Sequence, residues 1–481
     1  MLTRQQLQLN SDKTSSIVTQ SFASDKTVVG FLRLSLAYLL LGLFFGVIGG
    51  FQYILPDFLK EHLSFQKTRP LHVYLVISWI FTAAQGGIYY FLPRITGKPL
   101  YWAKGAKLHL LLQGTTSLFI ITAFFMGYFG GREYLEFPPV AGLFIALTWL
   151  PFAINFFASL KPNLAKAPVY AWMWSLGIIF FYITLSESYL WVFDYFRNNE
   201  IRDITVQWKA LGSMVGSWNM LVYGSSMYIM CRLTGSDDMA RSPVSFFFFF
   251  VGFTNLMFNW GHHTYIVPAA SWVKTTAYVI SMTELLIFGH IIYKWRKTLS
   301  DAQKNFNIIP YRLLSIADEW IFLNLGVAIA ISIPALNFYT HGTHITVAHA
   351  MGTTIGINTM LLFAVVLYII QDQKPFALPT KKRTLAAGIT ITNISLIIFW
   401  SALIGSGLVK ISGKLNNELF QTIMIKSQPF FRIFTFSGVF ILVGLTILIT
   451  AIYQLFIKED DHSIVLTADK SKKVALETVP D

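Results

Sequence analysis

About twelve stretches of the sequence are apolar over roughly 20 residues, the length that an α-helix needs to cross a bilayer. Backbone groups in lipid must be hydrogen-bonded within the segment, so these stretches are expected to be helices rather than open strands. Charged residues make up only 13% of the chain, against about a quarter in soluble domains. The sequence therefore predicts an all-α membrane protein with about twelve transmembrane helices. The predicted helices lie near residues 31–55, 70–93, 108–130, 139–160, 168–193, 210–231, 243–265, 271–293, 318–337, 343–371, 385–408 and 433–457.

The basic residues predict how this bundle is oriented. Lys and Arg are most frequent in the loops that follow the second, fourth, eighth and tenth predicted helices, and such loops usually face the cytoplasm. We therefore expect both termini to be cytoplasmic and the protein to be a multi-pass protein of the cell inner membrane. The predicted organisation is a cytoplasmic segment over 1–30, a membrane domain over 31–457 and a polar cytoplasmic tail over 458–481.

Composition also excludes some kinds of site and partner. The single cysteine, Cys231, excludes a disulfide framework and a thiolate metal cluster. The net charge of +13 is spread between apolar segments rather than gathered in one patch, so membrane topology explains it better than nucleic-acid binding does.

Six of the ten histidines fall at one depth of the predicted bundle. They lie at the outer ends of the second, seventh and tenth helices: His72, His262, His263, His341, His344 and His349. Ionisable groups at such a depth are costly unless they serve a purpose, and neutral imidazole is a good ligand for iron and copper. A single buried histidine is usually a satisfied core residue, but convergence from three helices favours metal centres.

The spacing of His349 and Met351 refines this prediction. Side chains two residues apart on a helix point about 200° apart, so these two cannot bind one iron. They can face two haems on opposite sides of the tenth helix.

Four motifs carry a resemblance to a known family. HGTHITVAHAM at 341–351 resembles the tenth-helix signature of nitric oxide reductases, and RPLHVYLVISW resembles the segment around a low-spin haem ligand. NWGHHTYIVP resembles the seventh-helix His-His pair, and GREYLEFPP at 131–139 resembles the outer loop of cytochrome c-dependent nitric oxide reductases. The chain thus resembles subunit I of the haem-copper oxidase superfamily, near the branch of the nitric oxide reductase large subunit and the cbb-type oxidases.

The resemblance implies a role for each histidine group. His349 would bind a high-spin haem b, and His72 with Met351 would bind a low-spin haem b. His262 and His263 would bind a distal non-haem iron or copper ion, and His341 and His344 would belong to the cofactor-binding set. A thioether ligand such as Met351 would raise the potential of the low-spin haem relative to two histidines.

The same resemblance implies roles for several other residues. Arg132 would pair with haem propionates, and Glu133 would help to hold a calcium ion, joined by Tyr89 or Tyr90. Glu284 would be a carboxylate close to the distal metal.

The sequence also departs from the family pattern. Gly212, or Leu211 if the alignment shifts by one residue, stands where the family has a third distal-metal histidine on the sixth helix. The glutamates that nitric oxide reductases carry just after it are also missing. The resemblance therefore implies a more open site, completed by water, Glu284 or another side chain, or without a distal metal.

The first functional interpretation is an oxidoreductase that converts two NO, two electrons and two protons to nitrous oxide and water. The second is oxygen reduction as in cbb-type oxidases, but these need a tyrosine in the inner half of the seventh helix, and SPVSFFFFFVGFTNLMF contains none. A third is an electron-transfer or gas-binding haem subunit without turnover, and a fourth is a secondary transporter. The chain has no C-x-x-C-H haem-attachment motif. The electron donor is therefore expected to be a cytochrome c-type subunit, a soluble cytochrome c, or quinol.

Overall fold

Twelve long helices form the structure, a computed structural model that describes residues 21–160, 164–375 and 377–457. Successive helices run in opposite directions and are joined by short loops and helical turns. The first nine are α1 (Asp25–Ile54), α2 (Phe65–Thr96), α3 (Ala103–Phe125), α4 (Val140–Leu160), α5 (Val169–Glu187), α6 (Glu200–Thr234), α7 (Pro243–Phe258), α8 (Ser271–Thr298) and α9 (Ile308–Ser332). The helix α10 spans 344–373 in three pieces, and α11 (Lys382–Leu415) and α12 (Phe420–Ile457) end the bundle.

The predicted all-α architecture is confirmed. By length and composition, ten helices in the described residues could cross a membrane. The exceptions among the long helices are α6 and α8, which have 35 and 28 residues. The helix α1 begins at Asp25, before the predicted start at 31, and the predicted tail over 458–481 lies outside the described residues.

The ninth helix differs most from its predicted range. It begins at Ile308 instead of near 318 and ends at Ser332 instead of 337. Pro310 is tolerated near the start because the first-turn amides have no partner within a helix. Pro334 cannot continue the helix and instead begins a separate short helix, Pro334–Thr340.

The helix α10 contains a stretch of wider winding directly after its candidate ligands. A short α-helix, His344–Met351, is followed by a π-helical stretch, Gly352–Thr359, and then by a second α-helix, Met360–Gln373. Asn324 on α9 braces this junction, because its Nδ2 donates to the carbonyl of His349 over 3.1 Å and to the Thr353 hydroxyl over 2.8 Å. Such π-helical stretches are frequent at functional sites.

The bundle has two chemically different ends. We call the end where α2 starts and α7 finishes the histidine end, and the other the opposite end. At the opposite end, Arg94 lies 3.1 Å from Asp25 and 3.3 Å from Asp372, and its guanidinium stacks on the Tyr90 ring. The Tyr90 hydroxyl donates to Asp372 over 2.6 Å. This clamp ties α1, α2 and α10 together.

Candidate haem and metal site

His72 is held against α1 through one ring nitrogen. Its Nδ1 lies 2.7 Å from the carbonyl oxygen of Gly42. A carbonyl can only accept, so Nδ1 carries the proton and Nε2 keeps its lone pair. The close approach depends on Gly46, where a β-carbon would lie 2.7 Å from His72 Nδ1. The ring is therefore set up to offer Nε2 to a metal.

Met351 and His344 lie seven residues apart, on one face of α10. His344 Nδ1 is 3.1 Å from the Ser406 hydroxyl on α11, and its ring contacts Tyr53 and Phe431 at centroid distances of 5.8 and 5.3 Å. Met351 packs against the apolar cluster to which Phe431 belongs. Both side chains therefore face the part of the bundle formed by α1, α11 and α12.

His349 has a different environment. Its Nδ1 is buried and has no hydrogen-bond partner. Burying an imidazole nitrogen without a partner is unfavourable. An unpaired nitrogen of this kind is expected of a ring that binds an iron or a ligand of that iron.

His262 and His263 present their Nε2 atoms to each other over 3.1 Å. Two imidazoles on one ion with bonds of about 2.0–2.1 Å would have nitrogens roughly 2.8–3.4 Å apart, so the spacing fits a shared metal. His262 Nδ1 lies 3.0 Å from Asn259 Oδ1, and His263 stacks on Trp208 with centroids 4.3 Å apart and planes 7° apart.

His341 lies beside this pair. Its ring centroid is 5.9 Å from those of His263 and Trp208, both nearly edge to face. Burial lowers the pKa of His341, and the carboxylate of Glu133 partly opposes the effect. His341 and His344 thus lie on opposite sides of the chain that leads into α10.

The position expected to carry a third distal ligand is closed. A β-carbon at Gly212 would collide with the β-carbon of Trp260 and lie 3.1 Å from its α-carbon. A histidine at position 212 is therefore excluded by the packing of α6 on the turn Asn259–Thr264. Among the described residues, no three His, Cys, Asp or Glu side chains converge closely enough to hold a metal ion.

The loop between α3 and α4 is organised by Arg69, a residue that the sequence analysis missed. Arg69 pairs with Glu133 at 2.7 Å and with Glu136 at 2.5 Å. It lies one helical turn before His72, and this spacing of three residues was the available signal. The predicted propionate partner, Arg132, instead pairs with Asp203 at 2.8 Å and lies over Trp191.

The predicted calcium site does not fit this arrangement. Arg69 already compensates the charge of Glu133, and the Tyr89 hydroxyl is 3.1 Å from His109 Nδ1 within the bundle. Tyr89 lies 20 residues after Arg69 on the same helix, about 30 Å away at 1.5 Å per residue. Tyr89 and Glu133 therefore cannot share one ion. The alternative, Tyr90, belongs to the clamp at the opposite end.

Glu284 lies on α8, one turn after Ser281, but its side chain is outside the described part of the structure. Its predicted role near the distal metal therefore stays a prediction.

The residues present fit two haems and a distal ion better than they fit calcium. His72 offers a defined Nε2, His349 has an unpaired buried nitrogen, and His262 and His263 have the separation of neighbouring ligands.

Comparison with known proteins agrees with the resemblance. The family model described as "Cytochrome C and Quinol oxidase polypeptide I" matches residues 26–453. A nitric oxide reductase subunit of Stutzerimonas stutzeri is 23% identical over 434 residues, which are 83% of this chain and 88% of that protein.

Two other relatives are named as oxidases. The cbb3-type cytochrome c oxidase subunit CcoN1 of Stutzerimonas stutzeri is 22% identical over 411 residues, covering 81% of this chain and 82% of that protein. A cytochrome c oxidase subunit 1 homolog of Agrobacterium tumefaciens (strain T37) is 24% identical over 345 residues, covering 68% of this chain and 63% of that protein.

Among solved structures, a heme-copper terminal oxidase dimer determined by cryo-EM has the same fold. The TM-score is 0.73 at 13% sequence identity, with 92% of this chain and 85% of that chain covered.

Proposed function

This chain belongs to the cytochrome c and quinol oxidase polypeptide I family, and on that premise we propose that it is a membrane-bound nitric oxide reductase. The proposed reaction takes two NO, two electrons and two protons to nitrous oxide and water. The family consists of oxidoreductases that bind haems and a distal metal, and this chain is a multi-pass membrane protein of that family.

One observation carries the proposal. The only imidazole pair in the described residues that presents nitrogens to each other is His262–His263, 3.1 Å apart. When bound, the high-spin haem and the distal ion would each supply a binding place for one NO. His349 would hold the haem, His262 and His263 the ion, and Trp208 and Trp260 would limit access of water from α6 and α7.

The low-spin side would receive electrons. His72 would bind through Nε2 because Nδ1 is committed to the Gly42 carbonyl, and Met351 would be the second ligand. Arg69 lies one helical turn before His72, and we propose that its guanidinium would pair with the propionates of the haem that His72 would hold. His344 and Arg132 would line the same edge from α10 and from the loop.

Two features favour NO over oxygen as the substrate. The helix α7 contains no tyrosine, whereas oxygen reduction in the cbb-type resemblance requires one there. The relative with 88% of its length covered is named as a nitric oxide reductase. Oxygen reduction is the second candidate because a cbb3-type oxidase subunit is matched over 82% of its length.

We further propose the cellular setting. The basic loops support placing the histidine end on the outer side of the cell inner membrane, with the N-terminal segment and the tail in the cytoplasm. The donor would then be a cytochrome c-type subunit or soluble cytochrome c, with quinol as the alternative.

Purified protein tests the proposal through its spectra and turnover. We expect two haems b in the reduced-minus-oxidised spectrum, one high-spin and one low-spin, and consumption of NO with a chemical donor. Oxygen consumption without NO consumption would favour the second candidate. Two haems without either turnover would favour an electron-transfer or gas-binding subunit, and absence of haem would overturn the proposal.

A further inference from the structure

At the distal site, the position expected to carry a third ligand is closed by Trp260, and the two histidines are held by neighbouring side chains. Resting on the proposed function, we propose that, among the described side chains, His262 and His263 are the only two that hold the distal metal. Asn259, Ser281 and Trp208 are the positioning residues that hold these two imidazoles in place of a third ligand.

The first step is that α6 is packed too closely to contribute a ligand. The β-carbon contact between positions 212 and 260 is repeated one turn later, where a β-carbon at Gly216 would lie 2.7 Å from Leu256 Cγ. Between them, the Ser213 hydroxyl donates to the Leu256 carbonyl over 2.9 Å. The two backbones are therefore in close contact over about one turn, and neither position 212 nor position 216 has room for a side chain that could bind the metal.

The second step concerns the tautomer of His262. Its Nδ1 lies 3.0 Å from Asn259 Oδ1, and the Ser281 hydroxyl donates to the same oxygen over 2.6 Å. An amide oxygen can only accept, so His262 carries its proton on Nδ1 and offers the lone pair of Nε2 towards His263. Asn259 lies three residues before His262, and Ser281 reaches it from α8. The ligand is thereby fixed from two separate elements.

The third step concerns the plane of His263. Its ring is parallel to that of Trp208 within 7°, at a centroid distance of 4.3 Å. Trp208 lies on α6, one turn before Gly212. The helix that cannot supply a ligand therefore supplies a flat surface against which the His263 ring is held. Rotation of the ring would break this stacking contact.

These contacts define how the site should bind a metal. A metal ion held by two imidazoles would take its remaining ligands from water or substrate. Loss of a hydrogen-bond partner behind a metal-binding histidine typically costs 10–100-fold in metal affinity. With only two ligands, each positioning contact should matter more than it would in a three-ligand site.

The experiment measures metal binding by the full-length, haem-loaded protein, independently of turnover. The protein is stripped with a chelator and dialysed against a concentration series of Fe²⁺ or, separately, Cu²⁺. Bound non-haem metal is then counted per two haems by mass spectrometry. We expect one ion in the parent, none in His262→Ala, and 10–100-fold weaker binding in Asn259→Leu and Ser281→Ala.

Matched variants separate positioning from damage to the fold. Asn259→Asp keeps an oxygen that accepts from Nδ1, so its affinity should stay within about threefold of the parent. Ser226→Ala removes a buried hydroxyl on α6 that bonds only within its helix, over 3.0 Å to the Val222 carbonyl, and should leave metal binding unchanged. Retained haem spectra report that each variant is folded.

Several outcomes would overturn the inference. If His341→Ala or Glu284→Gln abolished metal binding as fully as His262→Ala does, the site would have a third protein ligand. If Gly212→His tightened binding, the packing argument would be wrong. A haem-loaded parent that bound neither ion would refute the site but not the haem assignments. Metal binding without NO turnover would leave this inference intact and refute the proposed reaction.

Discussion

The two sides of α10 hold their histidines in different ways. On the side of α1 and α11, His72 is anchored by the Gly42 carbonyl and His344 by the Ser406 hydroxyl, each through Nδ1. On the other side, the Nδ1 of His349 is buried without a partner, and only its backbone carbonyl is braced by Asn324.

The difference distinguishes a haem site whose ligand has a fixed orientation from a haem site whose iron must bind substrate. An imidazole that donates its other proton to the protein is fixed in orientation and is a more basic ligand. His72 therefore suits a haem that only passes electrons. His349 leaves its Nδ1 available to an iron, and none of the hydrogen bonds described above fixes its ring, so the orientation of the ring should depend more on the haem. That arrangement suits an iron that must bind and release substrate.

The largest effect is expected when His349, whose Nδ1 has no hydrogen-bond partner, is replaced. In His349→Ala the high-spin haem should be lost completely, because no other described histidine occupies its position. The low-spin spectrum should persist. Haem counting by the pyridine haemochrome method, with absorption spectra, measures both. His62→Ala, at an exposed histidine in the turn before α2, is the control and should retain two haems. Loss of the low-spin signal in His349→Ala would show that the two sides are assigned the wrong way round.

The next effect concerns the ligand opposite His72. Met351→His should lower the midpoint potential of the low-spin haem by on the order of 0.1 V, a part of the roughly 0.8 V that axial ligands span. Replacing a thioether with an imidazole removes the preference for ferrous iron. Redox titration followed optically measures the shift. Met360→Leu, a buried volume-conserving change on the same helix, should leave the potential unchanged. An unshifted potential in Met351→His would remove Met351 from the ligand set.

A smaller effect is expected from placing a methyl group next to the ring nitrogen through which His72 bonds to Gly42. In Gly46→Ala the new β-carbon would lie 2.7 Å from His72 Nδ1, so the ring must shift. We expect a perturbed low-spin spectrum and a loss of about 1–3 kcal/mol in the free energy of unfolding. In Gly50→Ala, one turn later, the new β-carbon would lie at an ordinary 3.5 Å from Thr435. This variant should change neither the low-spin spectrum nor the free energy of unfolding. If Gly46→Ala and Gly50→Ala had the same spectrum and the same free energy of unfolding, the close contact between Gly46 and the His72 ring would be wrong.

The smallest effect should come from Ser406→Ala. It removes the hydroxyl next to His344 and with it a single, partly buried hydrogen bond, worth about 1 kcal/mol. Thermal unfolding in detergent should show this small loss, with both haems retained. Ser412→Ala, at an exposed position on the same helix, is the control. A haem lost from Ser406→Ala would make His344 a haem-binding residue rather than a supporting one.

The helices could be predicted from the sequence because their length follows from the bilayer thickness. The placement of His344 and His349 on different sides of α10 could be predicted because it follows from helical geometry. The position of Tyr89 could have been predicted too, because 20 residues of helix separate it from Arg69. The pairing of Arg69 with Glu133 joins segments 64 residues apart, and only the folded loop brings them together. The start of α9 was placed too late because Pro310 and Arg312 interrupt the apolar run in its first two turns.

The lack of room for a side chain at position 212 could not be predicted, because the residue that fills the space is distant in the sequence. Trp260 fills the space because α6 and the turn after α7 approach each other closely at Gly212.

That contact also limits how this lineage can change. A substitution at position 212 alone meets Trp260, and a smaller side chain at 260 alone leaves a void beside a glycine. Each single step destabilises the folded protein before any new ligand is in place. A sixth-helix ligand at position 212 therefore needs both changes together, which puts it out of reach of any single substitution.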